Sequence, residues 1–244
     1  MLTEQEKAAR RAAFQKMNLS EKAEYIFAYY KLPIVLILLA AYAAGYASYR
    51  VLTRREELLF AGFCNAAVRE ETETALTEGF VTWSGGDPRR SEVCAYTGLY
   101  LSDDPTLAEH EYAYASRLKL IAAVNAKQLD VVLMDADAYR ILSADGFLME
   151  LTPSLFENVP GLWEEMEPCL TENRVVLEDN ELDVALGKAE EYRETAEQQV
   201  NGIDLSGSRI LREADLSGTV YLGLLPGSTR LGTAAEYAAY LLRA

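Results

Sequence analysis

The apolar positions of this chain fall into one long unbroken block followed by a series of short ones. The block is LPIVLILLAAYAAGYASY, eighteen residues from Leu32 to Tyr49 without a formal charge, bracketed by Lys31 and Arg50. As a helix it spans about 27 Å, close to the hydrocarbon thickness of a bilayer. Tyr29, Tyr30 and Tyr49 stand at its ends, where amphipathic rings favour the headgroup zone. Pro33 falls in the predicted first turn, where a missing N–H costs little. We read residues 32–49 as a transmembrane helix. Two other readings share the pattern. One is a buried core helix, although core helices of this length seldom lack charge entirely. The other is a cleaved signal peptide with Gly45-Tyr46-Ala47 as its small-x-small site, behind a polar stretch that is long for a leader.

Ahead of this block, residues 1–31 read as a basic helical segment. Thr3 and Glu6 form a capping box for a helix through Lys16, and Ser20 can cap a second one running toward the bilayer. Its Tyr25, Ile26, Phe27, Tyr29 and Tyr30 suit the interface, or else the segment simply extends the span. Within the span, Ala40/Ala44, Ala41/Gly45 and Ala44/Ser48 are small-xxx-small pairs, the spacing that lets another helix approach closely. Ala41, Gly45 and Ser48 are therefore candidate helix-packing positions, for self-association or for another membrane subunit.

From residue 56 onward the period changes repeatedly. Glu57–Cys64 is a short apolar run fit for a buried strand, and Arg69–Thr82 carries Leu76 and Phe80 on one helical face. Trp83 through Pro88 is turn chemistry, Glu92–Leu101 is β-rich, and Leu107–Lys127 repeats Tyr114, Leu118, Ile121 and Val124 or Asn125 at helical spacing. Asp130–Met134 is a continuous apolar run, as expected of a strand covered on both faces. A helix over Ala136–Asp145 follows. Residues 151–214 are less regular, with three prolines, a short strand at Arg174–Leu177 and an acidic exposed helix over Gly187–Val200. Thr219–Leu225 predicts a strand and Thr233–Arg243 a closing helix. The alternation implies an α/β domain over residues 56–244 with a mainly parallel sheet.

Charge sharpens this division. Residues 1–55 hold nine Lys and Arg against four Glu, a net of +5, whereas the rest of the chain carries a net of −20. A basic head on an acidic body fits a membrane-proximal segment followed by a separate domain, with membrane lipid as the first partner. The overall net charge of −15 excludes a general nucleic-acid-binding surface. Basic residues flank the apolar block on both sides, so the positive-inside rule does not choose an orientation. The acidic domain favours an exported body and a cytoplasmic N-terminus.

At LKLIAAVNAKQLDVVLMDADAYRILSADGFLMELTPSL, Leu118–Leu155, the sequence resembles the type 2 extracellular solute-binding proteins of ABC importers. In that family a helix leads into an apolar strand, then a polar residue, a short helix and a Gly-x-Phe/Leu-x-x-Leu turn. Lys119, Ala122, Asp130, Val131–Met134, Asp135, Gly146, Phe147 and Leu151 occupy those places. The tail Thr219–Leu242 is similar to the family's returning strand and closing helix through Ser228, Ala235, Tyr237 and Leu241, with Gly227 where an Asn is usual. Full-length members have two lobes hinged about a cleft; only about seventy residues separate Leu151 from Thr219 here. The resemblance thus implies a single, truncated lobe, export of the domain, and transporter subunits as partners. A ligand gripped between two closing lobes is not implied.

Candidate chemistry is sparse. Asp135-Ala136-Asp137 follows an apolar strand, where metal-dependent glycosyltransferases hold a divalent ion against a diphosphate and some phosphatases keep a nucleophilic Asp. The phosphatase pattern wants Thr or Val where this chain has Tyr139. The simpler reading is that one of the two carboxylates N-caps the next helix. His110 reads as a surface residue, Trp83 as a cover for the sheet end or a stacking platform, and Cys64 and Cys94 as a conceivable but geometrically awkward disulfide. No nucleophile-elbow, P-loop or dinucleotide motif is present, so no cofactor is expected. A ligand should meet the C-terminal ends of the parallel strands, which makes Asp135, Asp137, Trp83 and Asp87 the candidate ligand-binding residues. The expected function is a non-enzymatic, membrane-anchored binding module. Its rivals are a metal-dependent membrane transferase using Asp135 and Asp137, and a structural assembly protein.

Overall fold

The computed structural model describes residues 18–104, 110–180, 191–213 and 220–244, together with 182, 184, 186–188 and 216. The chain divides into two units, residues 1–54 and 55–244. The Thr3/Glu6 capping box lies outside the described residues.

Among the described residues of the first unit, Leu19–Thr53 form one continuous helix, α1. The expected interfacial segment and the apolar block are therefore a single rod, and Pro33 sits inside it rather than in a first turn. Lys31–Arg50 is long and apolar enough to cross a bilayer, and none of its window is buried. Leu32, Val35, Leu36, Ile37, Leu38 and Leu39 are each more than half exposed. Tyr42 and Tyr46 stack at 6.4 Å between ring centroids, and a Cβ added at Gly45 would meet nothing within 4 Å.

The second unit is α/β. Its elements are β1 (Glu56–Cys64), α2 (Glu70–Trp83), β2 (Ser91–Leu99), α3 (His110–Asn125), β3 (Val131–Met134), α4 (Ala136–Ala144), α5 (Leu162–Met166), β4 (Leu170–Asp179), β5 (Glu194–Asp204), α6 (Arg209–Glu213), β6 (Tyr221–Leu224) and α7 (Leu231–Arg243). Short 3-10 turns at Pro153–Phe156 and Glu167–Cys169 accompany the prolines. The six strands form one sheet in the order β2-β1-β3-β6-β5-β4.

The sheet is mixed rather than mainly parallel. β2, β1 and β3 run parallel, while β6, β5 and β4 join through antiparallel pairs. The change of direction begins where β6 pairs antiparallel with β3, and β5 beyond it occupies part of the stretch that reads as an acidic helix. Its outer half, Glu194–Gln198, is exposed on both faces and pairs only with β4, so no apolar alternation marks it as a strand.

Both faces of the central strands are covered. In β3, Val131 and Leu133 face a core built from α2, α7 and the Leu151–Met166 segment, while Val132 and Met134 face a second core with Leu120, Tyr139, Ile141 and Leu142. That is why the strand reads as an unbroken apolar run. At α7, the Tyr237 hydroxyl donates to the Leu76 carbonyl at 3.1 Å and Tyr240 to that of Ala75 at 2.7 Å, fixing it to α2. Burial raises the pKa of both phenols.

One buried carboxylate joins the first half of this unit to its tail. Asp130, fully buried, accepts from the Phe60 N–H at 2.9 Å and from the Ser228 hydroxyl at 2.6 Å. The Arg230 guanidinium stands 3.6 Å away and lies over the Phe60 ring. Asp130 and Ser228 belong to the two separate segments that carry the family resemblance.

The helix α3 buries a different face from the expected one. Ala113, Ser116, Leu120 and Ala123 are buried; Tyr114 and Leu118 point to solvent, and Ile121 and Val124 are only half-buried.

Candidate functional site

The C-terminal ends of β1, β2 and β3 open into a cleft of about 640 Å³. Among its lining residues is Asn65, directly after β1, held in the left-handed region at φ 55°. Asn tolerates that conformation better than most residues. Its side chain donates to the Leu101 carbonyl at 3.0 Å and to Asp135 Oδ1 at 3.1 Å, and accepts from the Leu101 N–H at 2.8 Å. One amide thus ties together the ends of all three parallel strands.

Asp135 caps α4. Its Oδ1 accepts from the Ala138 N–H at 2.8 Å with the residue in an extended conformation, as an N-cap requires. Asp137 stands exposed in the first turn, where its charge complements the helix dipole. Both line the cleft. Oδ1 of Asp135 is thus shared between the Ala138 N–H and the Asn65 amide. Among the described residues no group of three or more His, Cys, Asp or Glu is placed to hold a metal.

The opposite wall comes from the end of β2 and the start of α3. Tyr100 and Tyr112 stack with centroids 6.3 Å apart, and the Tyr112 hydroxyl donates to the Gly98 carbonyl. Gly98, at φ +68°, lets the strand turn beneath that ring. Asp103 pairs with Arg140 at 3.3 Å and with Arg117 at 3.6 Å across the mouth. The cleft therefore offers an aromatic wall, carboxylates and one guanidinium rim, which suits hydrogen bonding and stacking with a polar solute.

Trp83 and Asp87 do not line it. Trp83 is the last residue of α2 and Asp87 lies in the turn that follows it, before β2, at the opposite end of the parallel strands from the cleft. Trp83 packs against Phe80 and Tyr240, with centroids at 6.4 and 5.6 Å. Asp87 accepts from the Arg89 N–H at 3.0 Å within its own turn. The side chain of His110 lies outside the described residues.

Cys64 and Cys94 are free, as is Cys169. Cys94 pairs in register with Phe60, four residues along β1 from Cys64, which sets the two thiols about 13 Å apart along the strand. Burial, with Asp135 nearby, pushes the Cys64 thiol up to about 12.

Sequence reasoning missed Asn65, Tyr100, Tyr112 and Arg140. Asn directly after an apolar strand was the available signal for the first. The other three converge only through the fold.

No protein-family model, curated protein or solved structure matches this chain.

Proposed function

We propose that the protein is a membrane-anchored, non-enzymatic binding module. In this reading α1 holds the chain in the bilayer with its N-terminus cytoplasmic, and the α/β unit presents its cleft outside. The observation that carries the reading is the exposed, uncharged run of α1 between Lys31 and Arg50, attached to a unit with its own two-faced core. Packing such a surface against water would waste most of its apolar area.

The proposal extends to a truncated solute-binding lobe, accessory to an ABC transporter. Two observations support it. The segments that carry the resemblance meet through Asp130 and Ser228, and β6 returns beside β3 as an antiparallel partner. The cleft also lies where open α/β sheets take ligands, outside the carboxyl ends of their parallel strands. With only one lobe, a solute or partner would be bound on an open face rather than enclosed.

Orientation is tested with Lys188→Cys, an exposed position in the β4–β5 connection. The variant is expressed with Cys94 and Cys169 replaced by Ser, and a membrane-impermeant maleimide is added to intact cells. Labelling before lysis is expected. Labelling only after lysis would place the domain in the cytoplasm and remove the transporter role.

A further inference from the structure

The cleft at the C-terminal ends of β1, β2 and β3 joins an aromatic wall to a charge of mostly one sign. Tyr100 and Tyr112 stack along one side, and the Tyr112 ring is pinned by the bond from its hydroxyl to the Gly98 carbonyl. Ala66, Leu99 and Leu101 add apolar surface beside them. An aromatic face of this kind takes a hydrocarbon stem by apolar contact and attracts a cation through its ring electrons. At about 640 Å³ the space falls within the range of small-molecule sites.

The sign of the charge narrows the solute. Among the described lining residues, Asp103, Asp104, Asp135 and Asp137 are set against one cation, Arg140. That guanidinium is already engaged by Asp103 at 3.3 Å and stands more than half exposed at the mouth. The net charge of −20 beyond residue 55 acts in the same direction, drawing cations in and repelling anions. Hydrogen-bonding capacity narrows it again. Asp135 Oδ1 is shared between the Ala138 N–H and the Asn65 amide, whereas Oδ2 meets no donor among the described residues, and neither does Asp137. These oxygens take hydrogens from whatever binds. A primary ammonium supplies three N–H donors together with a positive charge. A hydroxyl brings one hydrogen and no charge, and a quaternary ammonium brings the charge and no hydrogen.

We propose that this cleft binds a small primary amine in its protonated form, with the ammonium at Asp135 Oδ2 and Asp137 and the hydrocarbon stem against Tyr100 and Tyr112. The assignment rests on the reading of the cleft as a binding site given above and narrows it to one class of solute. Asp135 then has two uses, one oxygen for the cap of α4 and the other for the ligand.

The test uses n-butylamine, 1-butanol and butyrate, which match in size and differ in charge. Each is titrated calorimetrically into the full chain in detergent micelles, with titrations into micelles alone subtracted. Butylamine should bind at least about tenfold more tightly than the other two. Asp137→Asn should weaken it about fivefold or more, and Tyr112→Leu should weaken it as well. Asp87→Asn removes the same charge at the opposite end of the strands and should leave affinity within about twofold. Equal weakening by Asp137→Asn and Asp87→Asn would mean general attraction to an acidic surface and overturns the proposal. Butanol or butyrate binding as tightly as butylamine, and weakened by Tyr112→Leu, overturns the amine and leaves the cleft a site for another solute. Binding by none of the three overturns the amine and the small-solute reading of the cleft together, while the anchor and its orientation are judged separately by the maleimide labelling.

Discussion

Replacing Asp130 with Ala tests the join between the two halves of the α/β unit. The fully buried carboxylate accepts two hydrogen bonds, at 2.9 Å from the Phe60 N–H and 2.6 Å from the Ser228 hydroxyl. Bonds to a charged acceptor are worth about 1.5–3 kcal/mol each, and removing one partner of a buried pair costs about 3–5 kcal/mol. Arg230 is a quarter exposed and can turn to water, which holds the loss near the lower end, about 3 kcal/mol. Asp130→Asn keeps an acceptor and should lose about half of that. The assay is urea unfolding of the full chain in detergent micelles. It is followed by the fluorescence of Trp83 and Trp163, which pack on Tyr240 and Phe156 within this unit. Combining Asp130→Ala with Ser228→Ala should cost less than the two single changes together, since both remove one bond. Strict additivity, or an Asp130→Ala loss below about 1 kcal/mol, would refute the claim that this carboxylate joins the segments.

Three further outcomes follow from single contacts. Gly202→Ala should destabilise by about 1–3 kcal/mol, because its Cβ would come within 2.6 Å of the Tyr139 hydroxyl and 2.7 Å of Thr171 Oγ1; the same urea assay reads it. Asp135→Ala should cost about 1 kcal/mol through the lost cap, while Asp137→Ala stays within about 0.5 kcal/mol of the parent. Equal effects, joined by carboxylate-dependent Mn²⁺ binding in calorimetry, would favour the transferase reading instead. The Cys64 thiol stands at about 12 in the folded chain against an ordinary 9.0, so the neutral form is favoured on folding. Its contribution is present below pH 9.0 and is lost as pH rises toward 12. Cys64→Ala should flatten that part of the stability–pH curve, and at neutral pH a maleimide should reach Cys64 only after unfolding.

The elements legible from sequence were those whose burial leaves a period. β3 shows as an unbroken apolar run because both its faces are covered, and α7 shows through Ala234, Tyr237, Ala238 and Leu241 on one face. β5 left no such mark, since half of it is a solvated ribbon paired only with β4. In α3 the pattern pointed the wrong way: size suggested Tyr114 and Leu118 as the buried face, yet Ala113, Ser116, Leu120 and Ala123 are the buried ones. The cap at Asp135 was readable because an Asp between a strand and a helix has a local use. The cleft was only half readable. Strand direction located its edge and named Asp135 and Asp137, but Tyr100, Tyr112 and Arg140 reach it through tertiary structure. The pairing of β2 with β1 carries Trp83 and Asp87 to the opposite end of the strands.

The bilayer placement of α1 is tested most directly by alkaline carbonate extraction of membranes from cells making the intact chain. The account predicts that the protein stays in the membrane pellet at full length and leaves it only with detergent. Recovery in the carbonate supernatant, or a mature chain starting near Ser48, would contradict the anchor.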